Sequence, residues 1–358
     1  MSNVSEFFNG LDDPRASNAK HRLGDLMVIM IAASLCDQNT ATDMALFAEL
    51  RKDVLNRIVP YDTAPSHDTL SRILRLIDPG QFAVLFEYFA AGFAKAVSQH
   101  GGADVVAIDG KALRRAYEKG LSYHPHLVVS AFASASRLCL AATSPSDGKG
   151  EIDGALRVVE LLDLVGKTVT ADALHCTHDM AQCLQDKRAD YVLGLKKNRH
   201  GWYKQAQALF EKREVQSATM VENNHGRHEM RSASVIEVAE PQTHGHRAYG
   251  RVISSRNGSD PLTRYFLLSK PMESEDLLAC SRAHWSIENN LHWVLDVAMG
   301  EDQSRARKDH APTNLALIKR MARNILQMVD KPKVPISHRI RKCTFDDTYF
   351  INAISHMR

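Results

Sequence analysis

The stretch DVVAID at residues 104–109, followed by HLVVSAFAS at 126–134 and LCLAAT at 138–143, decides the fold class. Each is a short β-prone run bounded by turn-rich sequence, and three in succession predict an antiparallel meander. Downstream the period changes. A helix fits residues 152–165, a strand 168–171, a helix 178–187 and a strand 191–195, so β-α-β alternation follows the meander. That order predicts a mixed α/β sheet covered by helices.

Upstream of the sheet the pattern is helical. Leu23, Leu26, Met27, Met30 and Ile31 recur at helical spacing, as do Leu46, Phe47, Leu50, Leu55 and Ile58. Pro65-Ser66-His67-Asp68 reads as a helix start, and the pair Gly101-Gly102 marks a boundary. The expected organisation is an all-helical N-terminal domain over 1–102, a sheet domain over 103–330 and a basic tail over 331–358. Residues 198–270 read as a β-rich insertion, with strands at 233–238, 249–254 and 264–268. Helices are expected again over 275–299 and 314–328.

Composition narrows the function classes. The chain has 358 residues, 44% of them hydrophobic, enough for a sizeable core, and a net charge of only +3. Over residues 303–343, however, eleven Lys and Arg face two Asp, a local +9 that reads either as a solvated basic helical surface or as a phosphate-binding face. Six scattered cysteines without a C-x-x-C pair argue against a zinc ribbon or a disulfide framework and fit a reduced, cytoplasmic setting. The opening residues have no basic-then-apolar leader pattern, and the apolar run at 26–35 is far short of the ~20 residues that span a bilayer. No membrane partner is expected.

Two aspartates close β-prone runs: Asp109 before Gly110-Lys111, and Asp172 after Thr170-Ala171. Each alone could be a turn or cap residue. Together with a third acid they could hold a pair of hard divalent cations for in-line phosphoryl displacement. The third candidate lies in AHWSIENNLHWVLD at 283–296, where His284, Glu288, His292 and Asp296 follow one another at i+4 beside an apolar stripe. A structural polar seam is the alternative there. H-E-x-x-H is absent, and His175, Cys176, His178 and Cys183 have no zinc-site spacing.

AIDGKALR (107–114), TADALHC (170–176), DYVLGLKKN (190–198), HGRHEMR (225–231) and HWSIENNLHWVLDV (284–297), continuing into EDQSRAR (301–307), occur in that order. Together they resemble the H-repeat-associated (ISAs-type) insertion-sequence transposases, a branch of the DDE transposases with a ribonuclease-H-like core. DPR (13–15) and PSHDTLSR (65–72) resemble the family's associated N-terminal region. The resemblance implies a ribonuclease-H-like mixed sheet carrying the β-rich insertion, the helical N-terminal domain before it and the basic helical tail after it. It departs from the family at Thr177 and Arg199, where glutamines are expected. Against relatives with a Tyr, Arg, Glu, Lys signature, Ser281 and His284 stand at the first two positions.

By the same resemblance, Asp109, Asp172 and Glu288 are the catalytic acids and the ligands of two Mg²⁺ or Mn²⁺ ions. Lys111, Arg114, Lys196, Lys197, Asn198, Arg227, Arg231, His284, Asn289, His292, Arg305, Arg307 and Lys308 are the expected DNA contacts. Trp285 and Trp293 are read as core packing or as stacking platforms for a displaced base. Residues 66–76, with Arg72 and Arg75, are read as a recognition helix or as packing. The implied reaction is cleavage of element-end DNA followed by strand transfer, on double-stranded DNA, by a homodimer holding paired ends near the bacterial nucleoid. A nuclease without strand transfer and an inactive DNA-binding relic are the competing readings.

Overall fold

The computed structural model describes residues 4–97, 105–117, 125–224, 227–238, 245–330 and 333–357. Its centre is a nine-stranded mixed sheet in the order β3-β2-β1-β4-β5-β9-β8-β7-β6. Strands β1 (Val105–Leu113), β2 (His126–Ala133) and β3 (Leu138–Thr143) form the antiparallel meander. Strands β4 (Thr168–Ala171) and β5 (Asp190–Leu195) then add parallel to β1. Right-handed crossovers need helices to cover the faces they span. Here α6 (Glu151–Leu161) and α7 (His178–Asp186) connect β3 to β4 and β4 to β5. A meander of three strands with two parallel strands beside its first member is the ribonuclease-H-like core.

The insertion continues this sheet instead of forming a separate body. Strand β9 (Leu262–Leu268) pairs antiparallel with β5, and β8 (Ala248–Arg256), β7 (Arg227–Glu237) and β6 (Ser217–Asn224) follow outward. Three of these strands match the sequence reading. Strand β6 does not: SATMVENN is polar and lacks clear alternation because it lies at the sheet edge with its side chains exposed. The reading also missed α8 (His200–Lys212), whose buried residues are only Ala206 and Phe210. So thin an apolar stripe, in sequence rich in His and Gly, carries little periodic signal.

Among the described residues a 3-10 helix at Val4–Gly10 and five α-helices precede the sheet: α1 (Leu23–Leu35), α2 (Ala41–Leu50), α3 (Lys52–Leu55), α4 (His67–Leu76) and α5 (Pro79–Val97). Helix α1 is buried almost all round, which places it at the middle of a layer rather than on a surface. Ser66 caps α4, its hydroxyl accepting from the Thr69 N–H. The glycine pair at 101–102 lies outside the described residues.

Helices α9 (Ser274–Ile287) and α10 (Trp293–Val297) cross the sheet face opposite α6 and are joined by a π-helical turn over Glu288–His292. Helix α11 (Ala311–Val329) follows, then α12 (Ile336–Phe345) and α13 (Asp347–Ser355). Residues beyond 330 are thus folded as two helices. They share one apolar core with the N-terminal helices and the meander strands β1, β2 and β3, in which Phe47 and Phe350 meet edge to face.

The charge run of 303–343 does not form one basic face. Lys319, Arg320, Arg323 and Arg339 are buried, at 0–1% exposure. Lys319 donates to the Met299 carbonyl, Arg339 caps the Leu326 and Gln327 carbonyls at the end of α11, and Arg323 donates to the Arg137 and Asn290 carbonyls. Arg320 pairs with Glu301 at 2.7 Å and donates to Ser130 Oγ. These cations are structural because buried guanidinium groups must be paired or hydrogen-bonded. Arg320→Ala would leave Glu301 buried and short of its main counter-charge. It should cost about 3–5 kcal/mol in urea unfolding, against less than about 0.5 kcal/mol for Arg341→Ala on the exposed side of α12.

Candidate active site

Strand register sets the first two acids side by side. The β1–β4 pairing runs in parallel from Val105↔Thr168 to Ile108↔Ala171, so Asp109 and Asp172 are the next residues on adjacent strands. The sequence reading put Asp109 at a strand end, and it is not at one. Strand β1 runs on to Leu113 because β2 continues to pair with it, Asp109 opposite Ser130. It is β4 that stops, and Asp172 Oδ1 accepts from the Leu174 N–H in a turn. Gly194 on β5 lets that turn lie close, since a Cβ there would meet Ala173 N at 3.1 Å.

Glu288 comes to the same sheet face from the π turn. Ile287, Leu291 and Leu295 bury the inner side of the helix against Ala107 and Phe132, contributing roughly 1.5–3 kcal/mol each. Above them His284 Nδ1 lies 3.2 Å from Thr170 Oγ1, and Ser286 Oγ bonds to Ser134 Oγ. The turn is wide: the Trp293 N–H reaches back five residues to the Glu288 carbonyl. The Ser286 and Asn290 carbonyls each accept a side-chain donor, from Asn290 and Arg323. Side chains thereby satisfy groups that the change of helical period disturbs. In an uninterrupted α-helix Asp296 would sit ~80° around from Glu288; one extra residue in the turn brings it back to within ~20°.

The consequence is mutual repulsion. Burial, then the charges of Glu151, Glu288 and Asp172, push the Asp109 carboxyl up to about 7, although the Gly110 N–H opposes this. Burial and Asp172 likewise raise Glu288. The neighbouring imidazoles do not compensate. His292 Nδ1 is 3.5 Å from Asp109 Oδ2, yet burial and then Arg320 depress it to about 3. Burial also lowers His284. Neither ring is held in its cationic form by the acids beside it.

The expected phosphate contacts divide. Lys196 and Lys197 are exposed beside a cavity of about 900 Å³ that Asp172, Glu288, Arg264 and Trp285 also line. Arg305, Lys308 and Asn289 are exposed, and Arg114 is 74% exposed, 3.4 Å from Asp302. Lys111 is a correction: it is 7% exposed and held by Asp296 at 2.6 Å, Asp302 at 2.9 Å and Glu301 at 3.3 Å, so its charge is committed inside the protein. Asn198 Nδ2 clasps the Ala173 carbonyl, and Arg307 Nε donates to the Arg115 carbonyl beneath Tyr117. Arg231 pairs with Glu229 at 3.0 Å. Arg227 begins β7, and its side chain lies outside the described residues.

Neither Trp285 nor Trp293 is a core residue; they are 38% and 59% exposed, and the Arg264 guanidinium lies over the Trp285 ring at 5.7 Å. Arg75 is engaged by Asp309 at 2.6 Å, while Arg72 is exposed. Sequence reasoning missed Arg264, Glu151 and the fully buried His175, whose Nε2 lies 3.1 Å from Glu151 Oε1 and 3.9 Å from Asp172 Oδ1. The position of His175 three residues after Asp172 was the available signal.

The profile of the family described as Transposase DDE domain matches residues 100–325, and that of the DDE_Tnp_1-associated family matches residues 5–90. The chain belongs to the DDE transposases. Within them it falls in the H repeat-associated branch: it is 27% identical to the H repeat-associated protein YhhI of Escherichia coli K12 over 99% of this chain and 98% of that one. Protein YbfL of the same strain is 27% identical over 96% of this chain and 95% of its own length. The piggyBac transposase synaptic complex with hairpin DNA aligns at a TM-score of 0.42 and 12% identity, covering 96% of this chain and 75% of that one. Thr177 and Arg199, where this transposase departs from the family pattern, have local duties: Thr177 caps α7, and Arg199 Nε holds the Cys176 carbonyl. No helix among the described residues is long and apolar enough to cross a membrane.

DDE transposases generally use divalent metal. Among the described residues no three His, Cys, Asp or Glu side chains already form a cage for an ion. The donor chemistry fits one nonetheless: hard carboxylate oxygens, in mutual repulsion, with no fixed cation among their pairings. The raised Asp109 group has a measurable signature. Its folded value near 7 exceeds its ordinary 3.8, so the stability its neutral form supplies is present below about pH 4 and lost as pH rises through 7. Metal-free Asp109→Asn should therefore match the wild type near pH 4 and exceed it by on the order of 2 kcal/mol at pH 8. A difference that does not vary with pH in denaturant titrations would contradict this.

Proposed function

We propose that this transposase cuts the ends of its own insertion-sequence DNA and joins the freed 3′-hydroxyl to target DNA, using Asp109, Asp172 and Glu288 as its divalent-ion ligands. The observation that carries this reading is the placing of the acids: Asp109 and Asp172 directly follow paired residues of adjacent parallel strands, and Glu288, from the π turn, lines one cavity with Asp172. Two Mg²⁺ or Mn²⁺ ions bound there would stabilise the entering and leaving oxygens of an in-line displacement.

The protein's own groups supply the rest. Glu288, whose carboxyl is raised by partial desolvation and by Asp172, is suited to accept the proton of the attacking water or hydroxyl. Lys196, Lys197 and Arg264 line the adjoining cavity, and Arg305 and Lys308 extend the exposed cationic surface. These would grip phosphates without reading bases and make affinity steeply salt-dependent. The cavity, with Trp285 on its wall, is the natural seat for the DNA end. Two ends held together call for two copies of the chain, acting on chromosomal DNA in the bacterial cytoplasm.

Purified protein, Mn²⁺, labelled element-end duplex and a target plasmid test this. Joined product is expected with the wild type. Asp109→Asn, Asp172→Asn and Glu288→Gln should each reduce cleavage at least about 100-fold while DNA binding stays within about threefold. Cleavage without joining would support a nuclease instead, and wild-type binding without cleavage would support an inactive relic. Separately, Lys196→Ala and Lys197→Ala should each weaken binding evenly across DNA sequences and reduce the salt slope by about 1.

A further inference from the structure

We infer that Glu151 is a fourth carboxylate of the divalent-ion site, positioned by His175; this rests on the reading of Asp109, Asp172 and Glu288 as that site. Glu151 is the first residue of α6, on the sheet face opposite Glu288, and it reaches the acids from the other side. Its path is built into the backbone. A Cβ placed on Gly110 would come within 2.4 Å of Glu151 Cδ and 2.5 Å of Oε1, so the carboxylate lies in a hollow that only glycine leaves open, next in sequence to Asp109.

The second observation is the grip on Glu151. His175 is fully buried, and its Nε2 faces Glu151 Oε1 at 3.1 Å and Asp172 Oδ1 at 3.9 Å. Its Nδ1 is buried and has no hydrogen-bond partner among the described residues. The ring's proton is therefore best placed on Nε2, where it is donated toward Glu151. One imidazole spans acids from α6 and from the turn after β4, fixing the distance between them. The ring orients the carboxylate, and Glu151 adds to the field around Asp109. Glu151 is only 22% exposed, and among the described residues no Lys or Arg pairs with it. A side chain recruited only to cap α6 would not need a glycine hollow and a buried histidine to bring it toward three other acids.

The discriminating measurement is Mn²⁺ binding to the full-length protein, by calorimetry and by the loss of the free-ion paramagnetic resonance signal. Glu151→Gln should weaken Mn²⁺ binding about tenfold or more, and Gly110→Ala, which displaces the carboxylate, should do the same. His175→Ala should weaken binding in the wild-type background and add little to Glu151→Gln, because both act through one carboxylate. Circular dichroism and melting curves identify any variant that fails to fold, and Glu151→Gln, which preserves shape, then decides alone. Wild-type affinity in Glu151→Gln, with affinity lost in Asp109→Asn, would make Glu151 merely the structural partner of His175 and overturn the inference. Undetectable binding to the wild type, or equal binding to Asp109→Asn, would overturn the active-site reading itself.

Discussion

Like charges gathered at low solvent exposure must be neutralised or protonated, and the surroundings of Asp109 are organised by that constraint. The obvious internal counter-ion is Lys111, two residues along the same strand face. It is withheld: Asp296, Glu301 and Asp302 surround its ammonium group, and Arg320 completes the balance by pairing with Glu301. Burial alone would raise Glu301, but Arg320 and Lys111 outweigh it and hold the group below its ordinary value. Behind the acids is thus a closed ionic cluster; in front, the carboxylates keep an unspent negative potential. A protein that satisfied Asp109 with Lys111 would have less use for a divalent cation.

The same cluster explains why the charge run in the C-terminal third was misleading. Sequence charge counts residues, not their surroundings. Lys319, Arg320 and Arg323 occupy α11 at positions that its burial on every side turns inward, where Lys319 and Arg323 hold carbonyls of neighbouring segments and Arg320 pairs with Glu301. A helix between the N-terminal layer and the sheet has no outer face on which to put its cations. Only the residues flanking it, such as Arg305, Lys308 and Arg341, keep their charge at the surface.

What could be read from sequence follows the same logic. Strands β1 to β5 were legible because apolar runs of the right length are bounded by turn residues, and the two aspartates mark where β4 stops beside β1. Glu288 was legible through its helical neighbours, although the π turn was not: no residue type announces a five-residue turn, which arises here because Asn290 and Arg323 can satisfy the disturbed carbonyls. Glu151 and His175 escaped notice since their relation crosses 24 positions and depends on a missing side chain at Gly110. Edge strand β6 and helix α8 were silent because each buries too little to impose a period.

The π turn also divides one rod into two separately phased halves. The N-terminal half takes its rotation from the sheet, through His284 and Ser286, and the C-terminal half from the salt cluster, through Asp296. Like a coupling between two shafts, the wide turn absorbs the angular mismatch between them. Amino-acid changes that repack α11 can therefore rotate the second half while Glu288 keeps its bearing on the strands, giving the lineage freedom to remodel its interior without retiming its chemistry.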